Sequence, residues 1–186
     1  MNQRRQRYQA GPASDAEIRK DGERWTLVLV RKLRQPPALV WRALTDPAEL
    51  SQWAPFDADR SLASVGPVKL STVAMPDAPP ADSMVKRAEA PHLLEYTWGG
   101  NDLRWQLEAA GTGTRLTLWH NIDRGFIAWG AAGWHLCLDV LDRLTSGEPI
   151  GRVVGPDAMD FGWPRLVQEY CQLLGVEAPG WPAKKT

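Results

Sequence analysis

The sequence lacks the features that mark several common classes of protein. It has only two cysteines, Cys137 and Cys171, and they do not form a Cys-x-x-Cys pair. No apolar run approaches the roughly 18 residues that a membrane-spanning helix needs, and the N-terminus has no apolar core of the signal-peptide kind. These absences favour a cytoplasmic protein with buried, reduced thiols and no membrane partner.

Charge gives no sign of a nucleic-acid partner either. The formal net charge is zero, although residues 1–35 carry nine Lys and Arg against four Asp and Glu. Nucleic-acid binding needs basic residues clustered on a folded face with stacking aromatics, whereas here they begin in a segment with few apolar residues. We therefore predict a flexible basic tail at 1–20, a folded domain at 21–147, and an extension at 148–186 with one short helix.

Tryptophan is the residue that stands out. The chain has ten Trp but only three Tyr and three Phe. Trp41 and Trp53 bracket the stretch WRALTDPAELSQW, in which a Thr-Asp-Pro turn interrupts a helical pattern. Asp46 before Pro47 has the form of an N-cap followed by a proline in the first turn. This stretch is therefore predicted to form two short helices.

The regions flanking these helices are predicted to form an antiparallel sheet. Residues 25–33 are typical of a strand, and from 60 to 121 short β-type segments alternate with turn signals. The last two of these segments alternate strictly, which assigns successive side chains to opposite faces. His120 is accordingly predicted to face the interior of the domain, and Trp119 to face away from it.

A long helix is predicted to cover the apolar face of this sheet. Residues 131–145 carry an apolar stripe of Trp134, Cys137, Leu138, Leu141 and Leu144. A second, shorter helix is predicted at 164–174. An antiparallel sheet with one apolar face needs a covering layer, and a strongly twisted sheet can leave a cavity beneath that layer. The pattern indicates an α+β fold.

Four segments occur in an order and spacing that resemble a known family: VWRALTDPAELSQW, PHLLEYTW, GTGTRLTLWH and GWHLCLDVLDRL. Over residues 25–147 the chain is similar to bacterial relatives of the activator of heat-shock-protein-90 ATPase, in the START-like (SRPBCC) superfamily. The resemblance implies the helix-grip fold, a twisted antiparallel sheet wrapped around a long C-terminal helix, with two short helices after the first strand. A glycine pair common in the family is replaced here by VGPVKL, with the single Gly66.

The resemblance also implies two kinds of function. Members of the superfamily bind lipids, hormones or polyketides in the cavity between sheet and helix, and some catalyse cyclisation or hydrolysis there. The family name itself comes from a co-chaperone domain. Because a fold does not fix a function, both an apolar small molecule and a protein are expected as possible partners, and the protein is expected to be a monomer or homodimer.

The sequence offers little for catalysis. It contains no Gly-x-Ser-x-Gly nucleophile motif, and its three histidines are not spaced as metal ligands. We therefore expect no metal, no cofactor and no defined reaction. His120 is interpreted either as a polar group in the cavity or as a histidine whose hydrogen bonds are satisfied within the core.

The candidate ligand-binding residues come from elements that the fold should bring towards one space: Trp53, Phe56, Tyr96, Trp98, Trp105, His120, Trp134 and Leu138. Their tryptophans can plug the core, line an apolar cavity or form a patch for a protein partner. Trp53 is hypothesised to stand at the cavity mouth opposite Trp134. The predicted function is the binding of an apolar small molecule without defined catalysis; the alternative is a protein-interaction or stress- and chaperone-associated module.

Overall fold

The computed structural model describes residues 3–178, and a single antiparallel sheet dominates them. Its strands are β1 Ala16–Asp21, β2 Arg24–Leu33, β3 Phe56–Ala58, β4 Gly66–Thr72, β5 Ala81–Glu89, β6 Leu93–Trp98, β7 Asn101–Ala110 and β8 Gly113–Asn121. They lie in the order β1-β2-β8-β7-β6-β5-β4-β3. The last strand of the meander therefore returns to pair with β2, and the sheet curls into a half-barrel.

The helices lie between and after these strands. They are α1 Gln3–Gln6, α2 Pro37–Thr45, α3 Pro47–Leu50, α4 Ile127–Thr145, α5 Pro156–Asp160 and α6 Trp163–Leu174. The long helix α4 packs on the inner face of the sheet, where its Trp134 meets Trp105 of β7. This confirms the predicted α+β helix-grip fold. No helix within residues 3–178 is long and apolar enough to cross a membrane.

The corner between α2 and α3 depends on Asp46, as the sequence predicted. Its carboxylate accepts hydrogen bonds from the backbone N–H of Ala48 at 2.9 Å and of Glu49 at 3.1 Å. The helix that follows is shorter than predicted and ends at Leu50. Beyond it the indole of Trp53 turns back into the core and donates to the backbone oxygen of Ala43 at 2.8 Å, which ties the two short helices together.

The hairpin between β7 and β8 sets the register of the inner face. Trp105 lies opposite Leu118, and Leu103 lies opposite His120. Gly113, at the start of β8, passes so close to the end of β2 that a Cβ there would lie 2.2 Å from the backbone oxygen of Leu33. Only glycine fits this close approach. Packing therefore requires Gly113, and the positive φ of 62° favours glycine at Gly111 in the same turn.

The N-terminal segment differs from the predicted tail. Residues 16–20 belong to β1, which pairs with β2 along its whole length. Upstream, Tyr8 is 5% exposed, stacks on Phe161 and donates to Asp139 at 2.7 Å. An edge strand needs only a hydrogen-bond ladder and one half-buried face, so the charged sequence of β1 suffices. The division of the chain at 20/21 and 147/148 stays a prediction.

The C-terminal region also contains more structure than predicted. Helix α4 begins at Ile127, four residues before the predicted start, because Ile127 and Ala128 are fully buried and outweigh the neighbouring glycine. The extension adds α5 to the predicted α6. A buried polar contact fixes it to α4: the hydroxyl of Tyr170 lies 2.8 Å from Nδ1 of His135 and accepts from Arg31 at 3.0 Å.

Candidate ligand-binding site

A cavity of about 820 Å³ lies between one end of the sheet, the first half of α4 and the C-terminal extension. Six rings line it: Trp98, His120, Phe126, Trp129, Trp134 and Trp163. Small-molecule sites typically enclose about 300–1,000 Å³ and are mostly apolar. A space of this size and composition can therefore bury most of the surface of a small apolar molecule.

The two rings on the sheet side of the cavity come from β6 and β8, and Thr72 of β4 and Asn101 of β7 lie beside them. Trp98 is the last residue of β6 and His120 the last but one of β8, and their rings stack with centroids 6.3 Å apart. His120 is 4% exposed and faces inward, as the alternation predicted. Trp119 lies on the outer face instead, where Arg104 sits 5.1 Å from its ring. The period of two along β8 thus decides which ring reaches the cavity.

Helix α4 contributes the opposite wall through one face of its first half. Trp129, Gly133 and Cys137 recur every four residues, and Gly130 and Trp134 form a parallel row. The two glycines act differently: Gly130 makes room for the side chain of Ile122, which would lie 2.8 Å from a Cβ there, whereas Gly133 leaves space open. A Cβ placed on Gly133 would meet nothing closer than the indole nitrogen of Trp163, at 3.9 Å. Small residues beside large rings create the cavity on this side.

The third wall comes from the extension. Val153, Val154, Ala158, Met159 and Trp163 line the cavity from residues that follow the long helix. The ring of Trp163 meets that of Trp129 edge-on at 6.0 Å. The extension is therefore part of the site and not an appendage to it.

His120 is the most deeply buried of the polar side chains that line the cavity. The indole nitrogen of Trp134 donates to its Nδ1 at 3.0 Å, so the neutral ring carries its proton on Nε2. Burial lowers the pKa of His120 to about 4, because a charged imidazole is poorly solvated there. At neutral pH His120 is therefore uncharged and presents an N–H group.

The other titratable groups at the cavity give little basis for chemistry. Burial raises the pKa of the Cys137 thiol to about 12, so it remains protonated and a poor nucleophile. The Asp123 side chain is exposed and accepts from the backbone N–H of Gly125 at 2.8 Å. Nowhere in residues 3–178 do three His, Cys, Asp or Glu side chains form a group that could hold a metal ion.

The eight candidate residues do not all line the cavity. Three of them line the cavity: Trp98, His120 and Trp134. Leu138 is buried in α4 outside the lining. The remaining four pack against one another behind the lining, and we call them the aromatic core: Trp53, Phe56, Tyr96 and Trp105.

The hypothesis that Trp53 stands at the cavity mouth does not agree with its position. Its side chain is fully buried, contacts Trp105 edge-on at 6.1 Å and has its N–H bonded to Ala43. Trp53 is therefore placed as core. Tyr96, also a candidate ligand-binding residue, is likewise buried outside the lining, and its hydroxyl accepts from the indole of Trp105 at 3.0 Å.

Sequence reasoning missed several residues of the wall: Phe126, Trp129, Met159 and Trp163. The predicted long helix begins only at residue 131, which leaves Trp129 outside it, and Trp163 lies outside the four segments that resemble the family. One signal was present in the sequence. In IAWGAAGW two tryptophans flank two glycines at helical spacing, a pattern that leaves room beside large rings on a helix face.

Comparison with known proteins agrees with this architecture. The family model described as "Activator of Hsp90 ATPase homolog 1-like protein" matches residues 34–146. No curated protein matches the sequence. The fold is similar to that of EF2215, a conserved protein of unknown function from Enterococcus faecalis, with a TM-score of 0.66 at 19% identity over 85% of this chain and 89% of that one.

Two further solved structures share the fold. CalU16 from Micromonospora echinospora has a TM-score of 0.60 at 21% identity, over 89% of this chain and 96% of its own. The AHSA1-like protein from Aeromonas hydrophila has a TM-score of 0.53 at 19% identity, over 66% and 92% respectively. At these identities the likeness concerns the fold. Since the family model spans more than half of the sequence, the chain belongs to the family of proteins similar to activator of Hsp90 ATPase homolog 1.

Proposed function

We propose that this protein binds an apolar small molecule in the cavity between the sheet, α4 and the extension, without a defined catalytic step. The observation that carries the proposal is the cavity of about 820 Å³ lined by five large aromatic rings and one uncharged histidine. A core formed only for stability would fill such a space, since protein interiors are close-packed.

The rim of the cavity supports a route for the ligand. Met75, Phe126 and Met159 line the cavity and are 59%, 52% and 47% exposed. Exposed apolar side chains that gather at one place often mark a binding site. Methionine is unbranched and adapts its shape easily, so these residues suit a rim that must open and reseal around an apolar molecule.

The experiment uses Gly133, the glycine on α4 that faces the cavity. Fluorescence of the uncharged apolar dye N-phenyl-1-naphthylamine would be titrated on the wild type, on Gly133→Leu and on Gly133→Ala. Both substitutions replace a helix-interior glycine with a better helix former, which is worth about 1 kcal/mol for alanine. Only leucine adds enough volume to occupy the cavity, so Gly133→Ala is the matched control.

We expect the dye to bind the wild type and Gly133→Ala, and to bind Gly133→Leu far more weakly. The melting temperature of Gly133→Leu should stay at the wild-type value. Failure of the dye to bind the wild type would contradict the proposal. Unchanged dye binding by a folded Gly133→Leu would also contradict it, since the dye would then lie elsewhere on the protein.

A further inference from the structure

The cavity contains two hydrogen-bond donors that its own side chains do not use. The Nε2 atom of His120 and the Nε1 atom of Trp129 are buried and find no acceptor among the described residues. Both residues line the cavity, one from β8 and the other from α4. Buried polar groups are nearly always paired, because leaving one unpaired costs free energy.

Both nitrogens are donors, which restricts the partner that can satisfy them. An indole nitrogen can only donate. In His120 the Nδ1 atom already accepts from Trp134, so the proton of the neutral ring lies on Nε2. The neighbouring indole of Trp98 differs, because its N–H already donates to the hydroxyl of Thr72 at 3.2 Å. The two unused groups therefore call for an acceptor atom, such as a carbonyl or ether oxygen.

The charges around the cavity restrict the ligand further. Within the described part of the chain, the lining includes no Lys or Arg, and Asp123 is its one carboxylate. An anionic ligand would lose its hydration without gaining a counter-charge, which is costly in an apolar space. A neutral acceptor avoids that cost.

We infer that the cavity selects uncharged apolar ligands that carry a hydrogen-bond acceptor, and that the Nε2–H of His120 and the Nε1–H of Trp129 are the donors that hold it. This inference rests on the proposed function and specifies its ligand class. Each nitrogen exposes less than 1 Å² as the rings stand. The acceptor therefore reaches it after a small shift of adjacent rings, of which Trp98 is partly exposed and Phe126 is half exposed.

The test compares two ligands of nearly identical shape, fluorene and 9-fluorenone, which differ by a carbonyl oxygen. Their dissociation constants would be measured by calorimetry for the wild type, Trp129→Phe, His120→Asn and Trp98→Phe. Asparagine keeps an oxygen near the position of Nδ1 for Trp134 but removes the Nε2–H. Trp98→Phe is the matched control, since it removes a similar volume from the cavity but an N–H that is already paired.

The measured quantity is the ratio of the two dissociation constants, which cancels any general loss of fit. We expect the preference for fluorenone to fall roughly tenfold in Trp129→Phe, in His120→Asn or in both, the effect of one lost hydrogen bond to a buried donor. It should not change in Trp98→Phe. Fluorene-9-carboxylate, an anion at neutral pH, should bind the wild type more weakly than either.

Three results would overturn the inference while leaving the proposed function intact: an unchanged ratio in both donor variants, an equal fall in Trp98→Phe, or tighter binding of the carboxylate. If neither fluorene nor fluorenone bound the wild type, the proposed function would fail and the inference with it. Because the two donor variants lie on different elements, misfolding of one leaves the other to decide.

Discussion

The two aromatic groups of this domain use the same residue types for opposite purposes. In the aromatic core, Trp53 and Trp105 are fully buried, meet edge-on, and direct each indole N–H to an acceptor. In the cavity wall, Trp98 and Trp129 are partly exposed and face open space. One group fills its volume and the other encloses a volume.

The two groups are in contact through Phe56, whose ring lies 5.2 Å from that of Trp98, and through Trp134. The ring of Trp134 lies 5.4 Å from Trp105 on the core side and 5.9 Å from Trp98 on the wall side. Its N–H is bonded to His120, which fixes the ring between them. The closely packed aromatic core thus supports the rings of the cavity wall. Binding sites benefit from such support because a preorganised site loses less conformational entropy when the ligand binds.

The largest expected difference between the halves concerns Trp53. Replacing it with alanine should lower the free energy of unfolding by about 3–5 kcal/mol, the usual cost of a buried Trp-to-Ala change. Its effect on the affinity for N-phenyl-1-naphthylamine should be small. Trp98→Ala should show the reverse, with a smaller loss of stability and weaker dye binding. Denaturation midpoints and dye titrations on both variants would measure this, and a loss of dye affinity confined to Trp53→Ala would break the comparison.

A smaller effect is expected from pH, through His120. Its pKa is about 4 in the folded protein and about 6.5 in an unfolded chain. Between these values the unfolded state binds more protons, so stability present above pH 6.5 is lost as the pH falls towards 4. From pH 7 to pH 4.5 the wild type should lose about 2 kcal/mol more than His120→Asn. The free energy of unfolding of both proteins would be measured by urea denaturation at each pH. If it changed with pH equally in the wild type and in His120→Asn, His120 would not be buried in its neutral form.

The smallest effect is expected at the corner that leads into the aromatic core. Asp46→Ala should cost about 0.5–2 kcal/mol by removing the cap of α3. Dye binding should not change, because Asp46 does not line the cavity. Thermal and chemical denaturation would measure the loss, with Asp77→Ala in the exposed loop before β5 as the control. Equal midpoints for the two variants would show that the cap does not stabilise the protein.

Sequence patterns predicted the parts of this fold that are set locally or by family motifs. Asp46 signals its own cap, and the strict alternation along β8 separates His120 from Trp119. Alternation predicts which face of the sheet a side chain is on, but not whether that side chain lies level with the packed core or with the cavity. Tyr96 and Trp98 share a face, yet they are two residues apart, about 7 Å. That distance separates the packed core from the open cavity, and for this reason the candidate residues divided as they did.

Local sequence patterns could not predict that the extension forms a wall of the cavity. Trp163 begins α6 directly after Gly162, whose φ of 91° makes the chain turn there. Its ring meets Trp129 only because α6 packs on α4, and that packing depends on Tyr170, His135 and Arg31 from three separate elements. No spacing within the extension reveals such an encounter. The same holds for Tyr8, which is buried by contacts with distant residues.

The most direct test of the account is to follow the indole N–H resonances of the tryptophans while N-phenyl-1-naphthylamine is added. Each resonance in a ¹H–¹⁵N spectrum would be assigned from single Trp→Phe variants. We predict that the signals of Trp98, Trp129 and Trp163 move or broaden as the dye binds, whereas that of Trp53 stays in place. A dye that bound yet moved the Trp53 signal as much as those of the wall, or moved none of the wall signals, would contradict the claim that the ligand occupies this cavity.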